Sequence, residues 1–232
     1  QAQNIVFILL VTERVTIPIW FCFHRPATLT KEQKKLTRKR PEKIKEFDHK
    51  YRTKVELACV GLAVVSRVLK RLEYELRITL TVRCVSGDNG FASAPVQIAV
   101  SKWFHCAYLS KANPKQKVIV KNVELPIESY FNRRSSVTKI IHIRGHAVTI
   151  EYRSARVFVS SFNRKVLVVS LRYNNEKAWQ YLFGTDLTWT SESVIKGYGL
   201  RWLVEVFFED WKQCDGWGAG ALQRSVDGAV RG

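Results

Sequence analysis

The chain has 232 residues, 46% of them apolar, and carries 38 Lys and Arg against 20 Asp and Glu, a formal charge of +18. That length and apolar content build the core of one large domain, or of a domain with a sizeable insertion, and exclude a disordered tail. The charge points to a polyanionic partner, and nucleic acid ranks ahead of a membrane because no stretch approaches the roughly 20 apolar residues of a spanning helix.

In chain order, IVFILLV at residues 5–11 has no basic segment before it and no small-residue cleavage site after it, so it reads as a buried strand rather than a signal sequence. With residues 4–12 and 15–24 both apolar and rich in β-branched residues, and only Glu13 and Arg14 between them, a hairpin is expected. Residues 31–54 hold eleven Lys or Arg against four acids, include Pro41 and lack apolar periodicity. They are expected to form an extended, solvated basic excursion, read either as a charged surface loop or as a DNA-contacting arm.

From Thr53 to Leu72 the pattern is that of a helix covering a sheet. A strand over 77–86 ends at Gly87-Asp88-Asn89-Gly90, a helix follows over 94–104, and a short strand over 106–112. Such an order points to an α/β sheet. Residues 116–184 then change character: alternating runs at 138–144, 147–153, 156–161 and 165–173, with turns at Gly145-His146 and Phe162-Asn163-Arg164, predict an antiparallel β-rich insertion. Helix returns at Thr190, an N-cap with Glu192 in the first turn, and is expected to run unbroken to about Lys212. Glycines at 216, 218 and 220 break the chain beyond it. The expected organisation is a core over 1–115, the insertion over 116–184 and a return to the core over 185–232.

The five cysteines (22, 59, 84, 106, 214) are scattered and odd in number, which suits reduced core thiols and a cytoplasmic location better than a disulfide framework. No CxxC pair is present to suggest zinc.

The segment GYGLRWLVEVFFEDWKQ, residues 197–213, carries the sharpest chemical signal. On a continuous helix, at about 100° per residue, Arg201, Glu205 and Lys212 fall at about −60°, −20° and −40° from Tyr198, one narrow polar stripe. Leu200, Leu203, Val204, Phe207 and Trp211 form the apolar back. A carboxylate flanked by two cations and a phenol suits a site that holds metal and phosphate together. The competing reading is an amphipathic helix with Arg-Glu pairing at i, i+4, worth about 0.2–0.5 kcal/mol.

The spacing Tyr198-x2-Arg201-x3-Glu205-x6-Lys212 resembles the signature of the DDE transposases of the fourth numbered family of bacterial insertion sequences, and Thr185-Asp186-Leu187 before it and Trp202, Phe207, Phe208 and Trp211 within it are similar to that family's context. The resemblance covers about residues 4–231. It implies a ribonuclease-H-like fold in which two Asp and one Glu hold two Mg²⁺ ions and cut and join DNA at the element's ends. Mapped here, the Glu is Glu205 and the second Asp is Asp88, which also suits a metal ligand as an Asp at a strand's C-terminal end. The other reading of Asp88 is an Asx turn with Asn89-Gly90. Tyr198, Arg201 and Lys212 are the implied DNA-phosphate contacts.

The first Asp has no counterpart in the sequence. It is expected upstream of Gln1, on a strand central to the sheet, in agreement with a chain that starts at Gln and contains no Met; Arg231-Gly232 is read as a second truncation. The expected fold is therefore a ribonuclease-H-like mixed sheet lacking its first strand, with marginal solubility or a substitute pairing of 4–12 with 77–86. The implied partners are double-stranded DNA, namely terminal inverted repeats and target DNA, and a second copy in the synaptic complex, in a bacterial cytoplasm with no membrane role. The alternatives are a catalytically inactive DNA-binding remnant and a basic RNA-binding protein. Trp179, Tyr152, Tyr173 and Phe158 are read either as base-stacking or as packing aromatics.

Overall fold

The computed structural model describes residues 5–12, 15–143, 145–173 and 176–214, with side chains described as far as Glu209. Strands β1 (Ile5–Val11) and β2 (Thr16–Phe23) pair antiparallel with Ile5 opposite Phe23 and Phe7 opposite Phe21, so the expected hairpin forms. Its turn at Glu13 and Arg14 lies outside the described residues.

The basic excursion is not extended. It folds into α1 (Lys31–Lys39), a 3₁₀ turn at Pro41–Lys43 and a short α2 (Ile44–Phe47). The cause is local: Thr30 caps the Gln33 amide, the Gln33 side chain caps Thr30 in return, Glu32 sits in the first turn and Arg38 and Lys39 in the last. Pro41 then stops the helix.

A second capping box, Thr53 with Glu56, starts α3 (Lys54–Leu76), which ends on Arg77 in the left-handed region at φ 53°. Strand β3 covers only Cys84–Gly87, not the whole of 77–86. Its parallel partner β4 (Ala107–Ala112) begins opposite Cys84, so residues upstream have no β4 ladder to join. The crossover between the two is α4 (Ala94–Phe104).

The chain continues through β5 (Lys117–Val120), β6 (Val123–Pro126), α5 (Ile127–Phe131), β7 (Val137–Ile143), β8 (His146–Val159), β9 (Arg164–Tyr173) and β10 (Gln180–Gly184). The runs expected at 147–153 and 156–161 merge into the single strand β8, because β9 pairs with it without a break from Ile150 to Val159. One eight-stranded sheet results, ordered β3-β4-β10-β9-β8-β5-β6 with β7 also on β8. It is parallel at β3-β4 and antiparallel elsewhere, a mixed sheet with helices, as the α/β reading expects. The β-rich segment thus shares the sheet that begins with β3 and β4, joined through β10.

Both faces of this sheet are covered. Along β9, Val166 and Val168 face one core with α3 Leu62, α4 Val100 and Phe183, while Leu167, Val169 and Leu171 face another with Ile141, Ile150, Val194 and Ile195. Two-sided burial explains why KVLVVSLRY reads as an almost continuous apolar run. The second core is closed by α6 (Ser191–Gly199), followed by α7 (Trp202–Cys214).

The β1-β2 hairpin forms its own two-stranded sheet, and among the described residues β1 does not pair with β3, so the substitute pairing of 4–12 with 77–86 is not formed. Instead α3 holds the hairpin: a Cβ placed on Gly61 lies 2.5 Å from the Trp20 ring and 2.7 Å from Ile8, so the helix approaches the strands more closely than any side chain there permits. Phe7, on the other face, meets Phe208 of α7 edge-on at 5.0 Å. No helix among the described residues is long and apolar enough to cross a membrane.

Candidate functional site

The expected single helix from Thr190 to Lys212 is two helices. The chain leaves α6 at Gly199 and tightens through bonds from the Arg201, Leu203 and Val204 amides to the Tyr198, Leu200 and Arg201 carbonyls at 2.9, 3.0 and 2.9 Å. Gly197 and Gly199 weaken helix here. Gly197 is also a contact point: a Cβ there lies 2.8 Å from Leu109 and 3.6 Å from the Cys84 sulfur, so α6 sits directly on β3 and β4. The projection of all four motif residues onto one straight helix therefore does not hold; Tyr198 belongs to α6, Glu205 and Lys212 to α7, and Arg201 to the turn between.

Three of the four still converge. Tyr198, Arg201, Trp202 and Glu205 line a cleft of about 300 Å³ whose opposite wall includes Leu171, Tyr173 and Leu182 of the sheet. Arg201 pairs with Glu205, the i, i+4 contact anticipated as the bland reading, and its guanidinium lies over the Tyr198 ring at 5.6 Å. The Tyr198 hydroxyl is buried and has no hydrogen-bond partner among the described residues. Burial raises the Tyr198 phenol above its ordinary pKa; Arg201 opposes the shift, and the charges of Asp88 and Glu205 add to it. Lys212 lies on α7, but its side chain falls outside the described residues.

Asp88 leaves the C-terminal end of β3 as expected and is exposed. Its Oδ1 accepts the Gly90 amide at 2.8 Å, capping a 3₁₀ turn at Asn89–Phe91, so the Asx turn is present and Oδ2 is left for another partner. The turn is braced from beneath. Tyr108 of β4 donates its hydroxyl to the Phe91 carbonyl at 2.7 Å, and a Cβ on Gly87 would come within 2.6 Å of that oxygen. Tyr108 is 1% exposed, and burial first, then the Asp88 charge, raises its phenol well above the ordinary range. In the sequence Tyr108 reads as one more apolar strand residue; the signal lies in Gly87, whose missing side chain makes room for the hydroxyl.

Of the aromatics read as stacking or packing residues, Trp179 is partly buried against the core, with Arg153 over its ring at 4.0 Å and Arg172 at 4.7 Å. Tyr152 and Tyr173 pack against the second core, and Phe158 stands opposite Lys165 on β9.

No known protein family's model matches the chain, and no curated protein sequence matches it. Among the described residues no three His, Cys, Asp or Glu side chains gather as a metal-binding group.

Proposed function

We propose that this chain is part of the catalytic domain of a DDE-type DNA transposase, cutting phosphodiesters at the ends of an insertion sequence and joining them to target DNA. The observation that carries the reading is the convergence of Tyr198, Arg201 and Glu205, three residues of the spaced motif, on one cleft against the sheet; Asp88 stands at the C-terminal end of β3. In support, β3 and β4 are parallel and joined through α4, while the hairpin packs on the same α3 without pairing to β3.

Asp88 Oδ2 and the Glu205 carboxylate are the groups that would hold Mg²⁺, an ion content with one or two carboxylates when waters and phosphate oxygens complete its shell. When bound, it supplies charge neutralisation at the phosphate and a more acidic water. The residues of the chain do the rest: Arg201 turns from Glu205 towards a phosphate oxygen, Lys212 adds a second cation, and the Tyr198 hydroxyl offers a donor inside the cleft.

A second reading, a DNA-binding remnant without chemistry, draws on the Arg201–Glu205 pair and on the two-carboxylate set. One experiment separates them. The chain is incubated with Mg²⁺ and terminal-repeat DNA. Nicking that Glu205→Gln and Asp88→Asn both abolish supports the first reading. Salt-sensitive binding without nicking supports the second, and a preference for structured RNA over duplex DNA overturns both.

A further inference from the structure

The basic lobe between the hairpin and α3 is built rather than loose. Arg25 Nη2 donates to both Asp48 oxygens at 2.6 and 2.8 Å, and the Thr28 and Lys50 amides donate to the same carboxylate at 3.0 and 3.1 Å. The two ends of the lobe are thus tied at one side chain. His24 meets Tyr51 edge-on at 5.8 Å, and Lys45 pairs with Glu56 of α3. Within this frame α1 has two unlike sides. Thr37 is buried, its hydroxyl donating to the Gln33 carbonyl at 2.8 Å. At about 100° per residue, Lys31, Lys34, Lys35, Arg38 and Lys39 fall within an arc of about 140° on the other side. All five are exposed, and no ion pair among the described residues engages any of them.

We propose that this face of α1 is a docking surface for the phosphate backbone of double-stranded nucleic acid, read without regard to base sequence and separate from the carboxylate cleft. Five cations along about 13 Å of helix stand one per about 2.6 Å, roughly two thirds of the density of duplex DNA, which carries one charge per about 1.7 Å of axis. A rigid mount also matters: the lobe pays little ordering entropy on binding, unlike a disordered basic tail. An anionic membrane fits worse, because an interfacial helix needs a broad apolar side. Between Lys31 and Lys39 the only apolar residue is Leu36.

The surface deepens the transposase reading by naming where DNA beyond the cut would rest, yet it does not require that the cleft cut anything. The test uses the full chain and a duplex of arbitrary sequence, with affinity measured against salt. Replacing Lys34, Lys35 and Arg38 by Gln is expected to lower the magnitude of the slope of log K against log salt by about 0.9 for each phosphate no longer neutralised, about 2.7 for all three. Lys34→Arg with Lys35→Arg keeps the charge and is expected to keep the slope, with circular dichroism confirming unchanged helix content in both variants. An unchanged slope in the Gln variant overturns the proposal, as does tighter binding to phosphatidylserine vesicles than to the duplex. Because nothing is cut, a failed nicking assay leaves this proposal standing, and failure here leaves the carboxylate reading standing.

Discussion

The Tyr108 hydroxyl and the Phe91 carbonyl lie 2.7 Å apart, joining the second strand of the parallel pair to the turn that presents Asp88. A buried donor on a rigid strand thereby fixes a loop carboxylate that is itself exposed. Tyr108→Phe keeps the ring and removes the donor, and is expected to cost about 0.5–1.5 kcal/mol, read by denaturant unfolding. Amide exchange at Phe91 and Ala92 is expected to quicken more than exchange in β4.

Gly87→Ala acts on the same brace from the opposite side. The new methyl would stand within 2.6 Å of the Tyr108 oxygen, so either the phenol or the turn shifts. An overpacking cost of about 1–3 kcal/mol is expected, and pairing the change with Tyr108→Phe should recover part of it, a coupling that a double-mutant cycle measures.

Gly61→Ala is expected to loosen the hairpin. A methyl there meets the Trp20 ring at 2.5 Å and Ile8 at 2.7 Å, and the helix-propensity gain of about 1 kcal/mol does not offset a clash with a packed ring. Exchange protection in β1 and β2 should fall while that of β8 and β9 is kept, because among the described residues the hairpin shares no ladder with the larger sheet.

Acid should open the basic lobe. Asp48 is held below the usual carboxylate range by the Thr28 amide and then by Arg25, with the Lys50 amide adding to them. A depressed folded-state pKa contributes stability that is complete above the unfolded value and is lost as pH falls through the folded one. Protection of the Thr28 and Lys50 amides is therefore expected to hold at neutral pH and to drop below about pH 4, where carboxylates of ordinary pKa protonate. In Asp48→Asn the same amides should already exchange fast at neutral pH.

Arg201→Gln separates stability from function. Its pair with Glu205 is an exposed i, i+4 contact, so thermal stability should change by no more than about 0.5 kcal/mol. Under the proposed function, DNA affinity should nevertheless fall and its salt slope shrink by about 0.9, the value of a single phosphate.

Much of the architecture is legible in the sequence because local signals agree with tertiary ones. The hairpin, α3, α4, β7 and β9 follow from apolar pattern, capping residues and turns, whereas β8 reads as two runs and β10 has no pattern that singles it out. The basic excursion misleads because charge density suggests solvated coil, whereas Thr30 and Gln33 form a capping box that charge counting ignores. Strand β3 is shorter than its apolar pattern because strand propensity at 77–83 has no β4 residues opposite it to pair with. At the site, the sequence points to Asp88, Tyr198, Arg201 and Glu205, but an unbroken helical projection hides the turn that Gly199 allows. Tyr108 is invisible for a different reason: its role depends on what stands above it in space.

Strand β8 is forked. One edge runs along β9 from Ile150 to Val159, while the other is shared by β7, up to Tyr152, and by β5, from Phe158 onward. Residues 153–157 therefore have a ladder on one side only, and the two leaves they separate meet through a single strand. Tension applied along the strands to β7 and to the β5-β6 ribbon would run through β8 and load the β7-β8 and β5-β8 hydrogen bonds in shear, together rather than one at a time. Pulled in that direction the sheet should resist far more force than if the hairpin were peeled away, which makes this strand the mechanical spine of the molecule.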